Sequence, residues 1–233
     1  QKTAYEIPKR DWSPDVCSSD LRVVDYTPGE ICTVELLRVI YTTYDNSVNA
    51  AEVPEIYING LTWQTKNYEG EYYRNGDAIP QITDATEWEN ATEGAWCYYA
   101  NQTAYGVQYG KLYNWFAVND ARGLAPLGYH IPDDAEWASL FATNSNAYAW
   151  KESGTTNWNT DNGTDLYGFK AVGGGERDEY GTFNNRKVKA RFWSADEYDD
   201  DLANAVGIDN GSATLFGNKI DKNYGFSVRL VKD

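Results

Sequence analysis

The chain has 233 residues, and its 35 acidic side chains outnumber 20 basic ones to give a formal net charge of −15. Such a charge argues against the basic face with which proteins follow nucleic-acid phosphates or adsorb to anionic lipid. Hydrophobic residues make up 42% of the chain and aromatic residues 15%, which is too much apolar surface for a disordered protein. We therefore expect an acidic globular protein that binds no nucleic acid and does not insert into membranes.

Residues 1–51 differ in pattern from the rest of the chain and are predicted to form a small β-rich appendage. Apolar and β-branched stretches flank a turn signal at Pro28-Gly29, which favours short strands. Within this region, residues 10–21 (RDWSPDVCSSDL) resemble a peptide that results when sequencing-adapter DNA is translated. We interpret them as an assembly artefact, and the alternative is an ordinary polar loop of Ser, Asp and Pro.

The main domain is predicted to span residues 52–233 and to open with a strand-like segment at 53–58. The first helix candidate has no clear N-cap and is inferred only from apolar residues that fall on one side over residues 112–118. The second helix is predicted to begin at Asp133 or Asp134, where a carboxylate in the first turn is favoured by the helix dipole.

The second helix also has a clear apolar face. Trp137, Leu140 and Phe141 follow the i, i+3, i+4 spacing of an amphipathic helix. Towards the C-terminus, apolar residues alternate with others over residues 205–209 and 225–231. Alternation with a period of two predicts strands of an antiparallel sheet.

The histidine and cysteine content offers little for catalysis. His130 is the only histidine, so a metal site built from several histidines is excluded by count. Cys17, Cys32 and Cys97 lack the C-x-x-C spacing of zinc and redox sites. We expect His130 to be a packed, hydrogen-bonded structural residue rather than a general base. The sequence therefore predicts no catalytic residues, no metal ion and no cofactor, and we expect that the protein is not an enzyme.

One acidic loop has the spacing of oxygen ligands that calcium sites use. Residues 161–165 read Asp-Asn-Gly-Thr-Asp, but an EF-hand also needs Glu about eleven positions after its first ligand. Counting from residue 159 or 161 places Lys170 or Val172 there. We favour a turn of Asx and Gly residues for this loop, and a solvated loop over a cation site for the acidic run at 199–201.

Several motifs occur in an order that is typical of one protein family. They are LTWQTKN from residue 61, YGKLYNW from 109, GYHIPDDAEW from 128, GFKA from 168, FWS from 192 and FSVR from 226. Over residues 57–233 the chain therefore resembles the Fibrobacter succinogenes major paralogous domain, which is similar in fold to C-type lectins and formylglycine-generating enzymes. The resemblance implies an α+β, C-type-lectin-like fold with short antiparallel strands, two helices and long loops.

The chain departs from this family at two positions where cysteines are common. Ala125 and Leu230 stand there instead, and losing both together is expected if the family's cysteines form a pair, so packing must hold the last strand. Cys97 is the only cysteine in the resembling region, which does not support the paired-cysteine oxidase chemistry of formylglycine-generating enzymes. The Glu-Pro-Asn and Trp-Asn-Asp motifs of calcium-dependent sugar-binding lectins do not occur in the chain.

The segment 194–209 lies between two of these motifs, and the resemblance places it on the solvent-facing, ligand-binding side. Similar domains serve as variable proteins of diversity-generating retroelements, in which template adenines are randomised. Randomised AAC codons never encode Glu, Lys, Gln, Trp or Met, and Glu197 is the only residue of the segment outside the allowed set. An ordinary acidic exposed loop has a similar composition.

We therefore predict non-catalytic recognition of a protein or other surface ligand through a diversified site. The predicted contact residues are Asp196, Tyr198, Asp199, Asp200, Asp201, Asn204, Ala205, Gly207 and Asp209. Residues 205, 207 and 209 should share one strand face, opposite residues 206 and 208. The acidity of the segment predicts a basic or metal-bridged partner.

Two other functions stay open. The alternative is an undiversified module, secreted or on the cell surface, with a structural or carbohydrate-binding role, and an enzyme comes third. The two favoured functions place the protein at the cell surface, outside the cell or on a virus particle.

Overall fold

The computed structural model describes residues 53–233. The predicted N-terminal appendage and the interpretation of residues 10–21 lie outside these described residues. The described part combines helices with several small, mostly antiparallel sheets, so the α+β class is confirmed. Four α-helices occur among the described residues instead of the two predicted.

The secondary-structure elements are short, and most strands belong to small sheets. The helices are α1 (Ala85–Glu89), α2 (Thr103–Tyr109), α3 (Trp115–Val118) and α4 (Asp134–Thr143). The strands are β1 (Glu55–Ile58), β2 (Leu61–Gln64), β3 (Trp96–Cys97), β4 (Leu112–Tyr113), β5 (Tyr129–His130), β6 (Glu176–Arg177), β7 (Phe183–Asn184), β8 (Lys189–Glu197), β9 (Leu202–Asp209), β10 (Leu215–Asp221) and β11 (Val231–Lys232). One sheet has the order β1-β2-β11-β5 and another the order β10-β9-β8, while β3-β4 and β6-β7 form separate pairs.

The four-stranded sheet β1-β2-β11-β5 joins the beginning of the domain to its end. Val231 pairs with Trp63 of β2 on one side and with His130 of β5 on the other. The last strand is therefore held between two strands that come much earlier in the chain. No helix within residues 53–233 has the length and apolar character that a membrane crossing requires.

Helix α4 begins where the sequence predicts it. The Asp133 side chain accepts a hydrogen bond from the Glu136 backbone N–H at 2.8 Å, and the Glu136 carboxylate accepts one from the Asp133 N–H at 3.1 Å. These reciprocal bonds form a capping box, which satisfies backbone donors that a helix start leaves free. Trp137 and Leu140 are each 1% exposed, so the predicted apolar face is buried.

Helix α3 is shorter than the sequence pattern suggests. Residues 112 and 113 belong to strand β4, and the helix begins only at Trp115. Asn114 is the N-cap, and its side-chain oxygen accepts hydrogen bonds from the N–H groups of Ala117 and Ala95. The cap therefore also ties the helix to Ala95, the residue before β3.

The segment 225–231 forms a continuous strand in the prediction but not in the structure. Its residues make isolated bridges to different partners: Gly225 with Arg177, Phe226 with Tyr113, and Ser227 with Phe192. Every residue of the segment is buried. The segment passes between several sheets, and its backbone groups bond to different neighbours along its length: Phe226 to Tyr113, Ser227 to Arg191, and Val228 to Tyr68.

Aromatic side chains dominate the interior. The first core cluster includes Tyr113, Trp115, Trp193 and Phe226, and the second includes Trp63, Trp137, Trp150, Phe169 and Phe192. Each aromatic ring of this size removes about 150–250 Å² from water. Three cations are also buried: Lys151, Arg177 and Arg229. Each donates hydrogen bonds to neutral oxygens, among them the backbone carbonyls of Thr160, Ile82 and Phe169 respectively.

His130 links the start of α4 to the end of the described chain. Its Nδ1 lies 2.8 Å from an Asp233 carboxylate oxygen and its Nε2 lies 2.8 Å from one of Glu136. Partial burial lowers the pKa of His130, but the hydrogen bonds with Asp233 and Glu136 outweigh it and raise the pKa above its ordinary value. The imidazole therefore ties the first turn of α4 to Asp233.

The pH dependence of stability tests this contact. Because the folded-state pKa is raised above the ordinary value of 6.5, the contact stabilises fully below the unfolded-state pKa and is lost as the pH rises through the folded-state pKa. We expect the wild-type chain to lose its stability advantage over His130→Gln as the pH rises above about 6.5. The change should be below about 1 kcal/mol, since the groups are partly exposed. Parallel urea unfolding at several pH values measures it, and an advantage that is constant with pH would contradict it.

Candidate functional site

The predicted contact segment forms most of a β-hairpin made by β8 and β9. A register shift between Trp193 and Glu197 interrupts the regular pairing, which resumes with Glu197 opposite Ala203 before the turn. At the turn, the Leu202 carbonyl accepts hydrogen bonds from the N–H groups of Tyr198 and Asp199 at 3.0 and 3.1 Å. The Asp199 side chain accepts two more, from the N–H groups of Asp201 and Leu202. We refer to residues 196–201 as the hairpin tip, and these bonds give it a defined turn.

Two carboxylates of the hairpin tip are free to meet a ligand. Asp200 and Asp201 are exposed, and within residues 53–233 no hydrogen bond or ion pair to either carboxylate is present. Tyr198 stands beside them with 50% of its surface exposed. The tip therefore presents an aromatic ring and two unpaired negative charges to solvent.

Two lysines, one in β10 and one just after it, support the hairpin tip. Lys222 is 5% exposed, and its ammonium donates to the Glu197 carboxylate at 2.5 Å and to the Asp200 carbonyl at 2.6 Å. The ammonium of Lys219 lies 3.3 Å from the centre of the Tyr198 ring. Both lysines are absent from the sequence-based prediction, and only the pairing of β10 with β9 brings them to the tip.

The structure corrects the predicted exposure of Ala205 and Gly207. Ala205 is 1% exposed and belongs to the first core cluster, and Gly207 is also buried. A Cβ atom at residue 207 would lie 2.2 Å from the Ala190 carbonyl oxygen. The physical reason is that β9 is the central strand of its sheet, and Ile208 on its opposite face is buried in the second core cluster. Neither Ala205 nor Gly207 presents a side chain to a surface ligand.

Three other predicted contact residues are already engaged within the domain. The Asp196 carboxylate accepts a hydrogen bond from the Asp134 N–H at 2.9 Å, and the Asn204 amide donates to the Asp134 carboxylate at 2.6 Å. The Asp209 carboxylate pairs with Arg191 at 2.5 Å. These side chains hold the hairpin against the start of α4 and join its two strands to each other. The surface that is free to contact a ligand therefore narrows to the residues around 198–201.

An open cleft of about 560 Å³ lies beside the hairpin tip. We call it the tip cleft because Glu197 and Lys222 border both features. Its lining residues come from α3, the loop before β3, the loop after α3, the hairpin and the residue after β10: Thr92, Glu93, Gly94, Trp115, Phe116, Asn119, Asp120, Arg122, Glu197 and Lys222. The sequence gives no signal for this cleft, because its walls come from separate parts of the chain.

Comparison with known protein families identifies the domain. Residues 56–232 match the family described as the Fibrobacter succinogenes major domain. The chain belongs to this family. The matched range confirms the resemblance predicted for residues 57–233. No curated protein and no solved structure matches the chain.

In this Fibrobacter succinogenes major domain, buried apolar side chains occupy the two positions at which cysteines are common in the family. Ala125 is 5% exposed and Leu230 is 0% exposed, and both belong to the first core cluster. The last buried segment is thus held to the body of the domain by side-chain packing at these positions.

The calcium-like loop of this family member is organised around a lysine. The Lys151 ammonium donates to the Asn162 side-chain oxygen, to the Thr160 carbonyl at 3.1 Å and to the Asn210 carbonyl at 3.2 Å. Burial lowers the pKa of Lys151 to about 8. Of the loop residues, Asn162 thus contributes its side-chain oxygen to an internal cation, while the carboxylates of Asp161 and Asp165 accept the backbone N–H groups of Gly154 and Lys170. Within residues 53–233, no group of three or more His, Cys, Asp or Glu side chains is arranged to hold a metal ion.

Proposed function

We propose that this domain is a non-catalytic recognition module, which presents the hairpin tip to a protein ligand from a C-type-lectin-like scaffold. One observation carries the proposal: two unpaired carboxylates and a half-exposed tyrosine project from a hairpin whose base is fixed in an aromatic core. Membership of the family and the α+β architecture support the scaffold.

The proposal includes diversification of the hairpin tip by a retroelement. Tyr198 and the acidic residues at 199–201 belong to the set that randomised AAC codons encode, and these residues are exposed. Glu197 lies outside that set and is also the tip residue that pairs with Lys222. We accordingly limit the variable positions to the exposed turn. A near-identical template repeat and a reverse transcriptase gene beside the coding sequence would support this part, and their absence would exclude it.

The charge of the hairpin tip predicts a basic partner. Opposite charges across an interface increase the association rate and fix its register, and salt weakens exposed pairs. A tyrosine among short polar residues supplies contact area at a low entropic cost, as it does in antibody loops. A basic peptide surface therefore fits the tip better than an acidic or purely apolar one.

The Asp200→Asn/Asp201→Asn variant tests this function. A random peptide library displayed on phage is selected against the purified full-length chain, and enriched peptides should be rich in Lys and Arg. We expect the variant to bind these peptides about tenfold more weakly, because two exposed charge pairs at about 0.2–1 kcal/mol each are lost. Raising the salt concentration should remove most of the difference.

The matched control is Glu69→Gln/Asp161→Asn, which removes two exposed negative charges from other loops. It should bind the selected peptides as the wild type does. Equal binding by the tip variant would contradict the proposal. Selective binding on a glycan array that is lost when calcium is removed would instead favour the carbohydrate-binding alternative. Oxidase activity on cysteine-containing peptides would overturn both.

A further inference from the structure

We infer that the tip cleft receives an arginine side chain of the ligand that the hairpin tip recognises. The inference rests on the proposed function and adds the chemistry of the ligand group. Glu197 belongs to both the tip and the cleft lining, and Lys222 of the lining donates to Glu197 and to the Asp200 carbonyl, so a ligand bound across the tip lies at the mouth of the cleft. A volume of about 560 Å³ is within the range of small-ligand sites.

The cations of the tip cleft are already neutralised by neighbouring carboxylates. Arg122 pairs with Asp120 at 2.8 Å and with Asp77 at 3.3 Å, and its Nε also donates to Asp120 at 2.9 Å. Lys222 is buried and donates to Glu197 and to the Asp200 carbonyl. Because these donors are occupied, the cleft offers little to an anionic ligand.

One carboxylate of the tip cleft has no partner. Glu93 is exposed at the cleft, and within residues 53–233 its side chain forms no hydrogen bond or ion pair. Its backbone carbonyl accepts a hydrogen bond from the Asn114 side chain at 2.8 Å, which fixes the loop that carries it. The lining therefore has the carboxylates of Glu93, Asp120 and Glu197 against the cations of Arg122 and Lys222.

Arginine fits this site better than lysine does. Its planar guanidinium binds both oxygens of a carboxylate and stacks on aromatic rings, whereas an ammonium is a more strongly hydrated point charge. Phe116 is half-buried and supplies an aromatic ring to the same cleft lining as Glu93. The excess of negative charge, the free carboxylate and the aromatic wall all favour a guanidinium group.

Titration with a capped arginine tests the inference without a known partner. N-acetyl-arginine amide is added to ¹⁵N-labelled full-length chain, with the lysine and citrulline analogues as comparisons. We expect shifts of the Glu93, Gly94 and Asn119 amide signals with arginine, weaker shifts with lysine and none with the neutral citrulline analogue. Glu93→Gln should weaken arginine binding about tenfold, since it removes a charged hydrogen-bond partner, and the exposed Glu69→Gln should leave it unchanged.

The outcomes separate this inference from the proposed function. Absence of arginine-specific shifts, equal shifts with citrulline, or undiminished binding by Glu93→Gln would overturn the role of the tip cleft. Arginine binding that needs Glu93 but not Asp200 or Asp201 is the expected result for a separate subsite. If the selected peptides were then indifferent to the tip substitutions, the function of the tip would fail while the arginine site in the cleft stood.

Discussion

Substitution of Arg229 by methionine is expected to lower the free energy of unfolding by about 3–5 kcal/mol, because several buried acceptors lose their donor together. Arg229 is 0% exposed. Its guanidinium donates to the Asn67 side chain at 2.7 Å, to the Gln64 and Phe169 carbonyls at 2.9 Å each, and to the Lys170 carbonyl at 3.0 Å.

These hydrogen bonds join three distant parts of the chain. They connect the end of β2 and the loop that follows it, residues 169–170, and the last buried segment. The guanidinium also lies 4.5 Å from the centre of the Phe169 ring. Burial lowers the pKa of Arg229 to about 9, so the side chain keeps its charge at neutral pH. Methionine replaces the apolar contacts and leaves the carbonyl oxygens unpaired.

Lys232→Met is the matched control for this substitution. Lys232 is a half-exposed cation three residues further along, and its ammonium pairs with Glu55 at 3.0 Å. We expect a much smaller loss than for Arg229→Met, because exposed ion pairs contribute little to stability. Urea unfolding followed by tryptophan fluorescence measures both variants. Arg229→Lys provides an intermediate case if Arg229→Met does not fold, and a loss below about 1 kcal/mol for both Arg229 variants would contradict the role described.

The sequence predicts those parts of the fold whose signals come from residues close together in the chain. The capping box at Asp133 and the apolar face behind it specify α4 within a few residues. The N-cap of α1 carries a similar signal, since Asp84 precedes Glu87 by three residues and accepts its N–H, yet that short helix was not predicted. The alternation at 205–209 predicts a strand correctly, but it does not show that the strand is covered on both faces by neighbouring sheets and helices.

In the candidate site, too, the sequence predicts the residues that have a local signal and misses those that tertiary contacts bring in. The exposed acidic turn at 198–201 is readable from composition and from its place between motifs. Lys219 and Lys222 are not, because β10 contains Gly217 and Asn218, which weaken the strand pattern, and pairing with β9 is needed to bring these lysines to the turn. The tip cleft depends on tertiary contacts alone.

The second large effect is expected at the base of the same hairpin. Trp193 is 0% exposed, its indole N–H donates to the Tyr113 carbonyl at 2.8 Å, and its ring centre lies 4.6 Å from that of Phe226. Trp193→Ala should cost about 3–5 kcal/mol of unfolding free energy, because it leaves a cavity in the first core cluster. Trp193→Phe should cost less, since it keeps most of the apolar volume.

Tyr198→Ala, five residues along the same chain segment, is the matched comparison. Tyr198 is 50% exposed and its described ring contact is with the Lys219 ammonium, so we expect a loss below about 1 kcal/mol. The effects on peptide binding should be opposite to those on stability. Binding should fall for Tyr198→Ala and stay near the wild-type level for Trp193→Phe. The hairpin tip can accept many different sequences only if the stability of the domain comes from residues outside the tip. If Tyr198→Ala were as destabilising as Trp193→Ala, the tip would be part of the structural core, and a diversified surface there would be untenable.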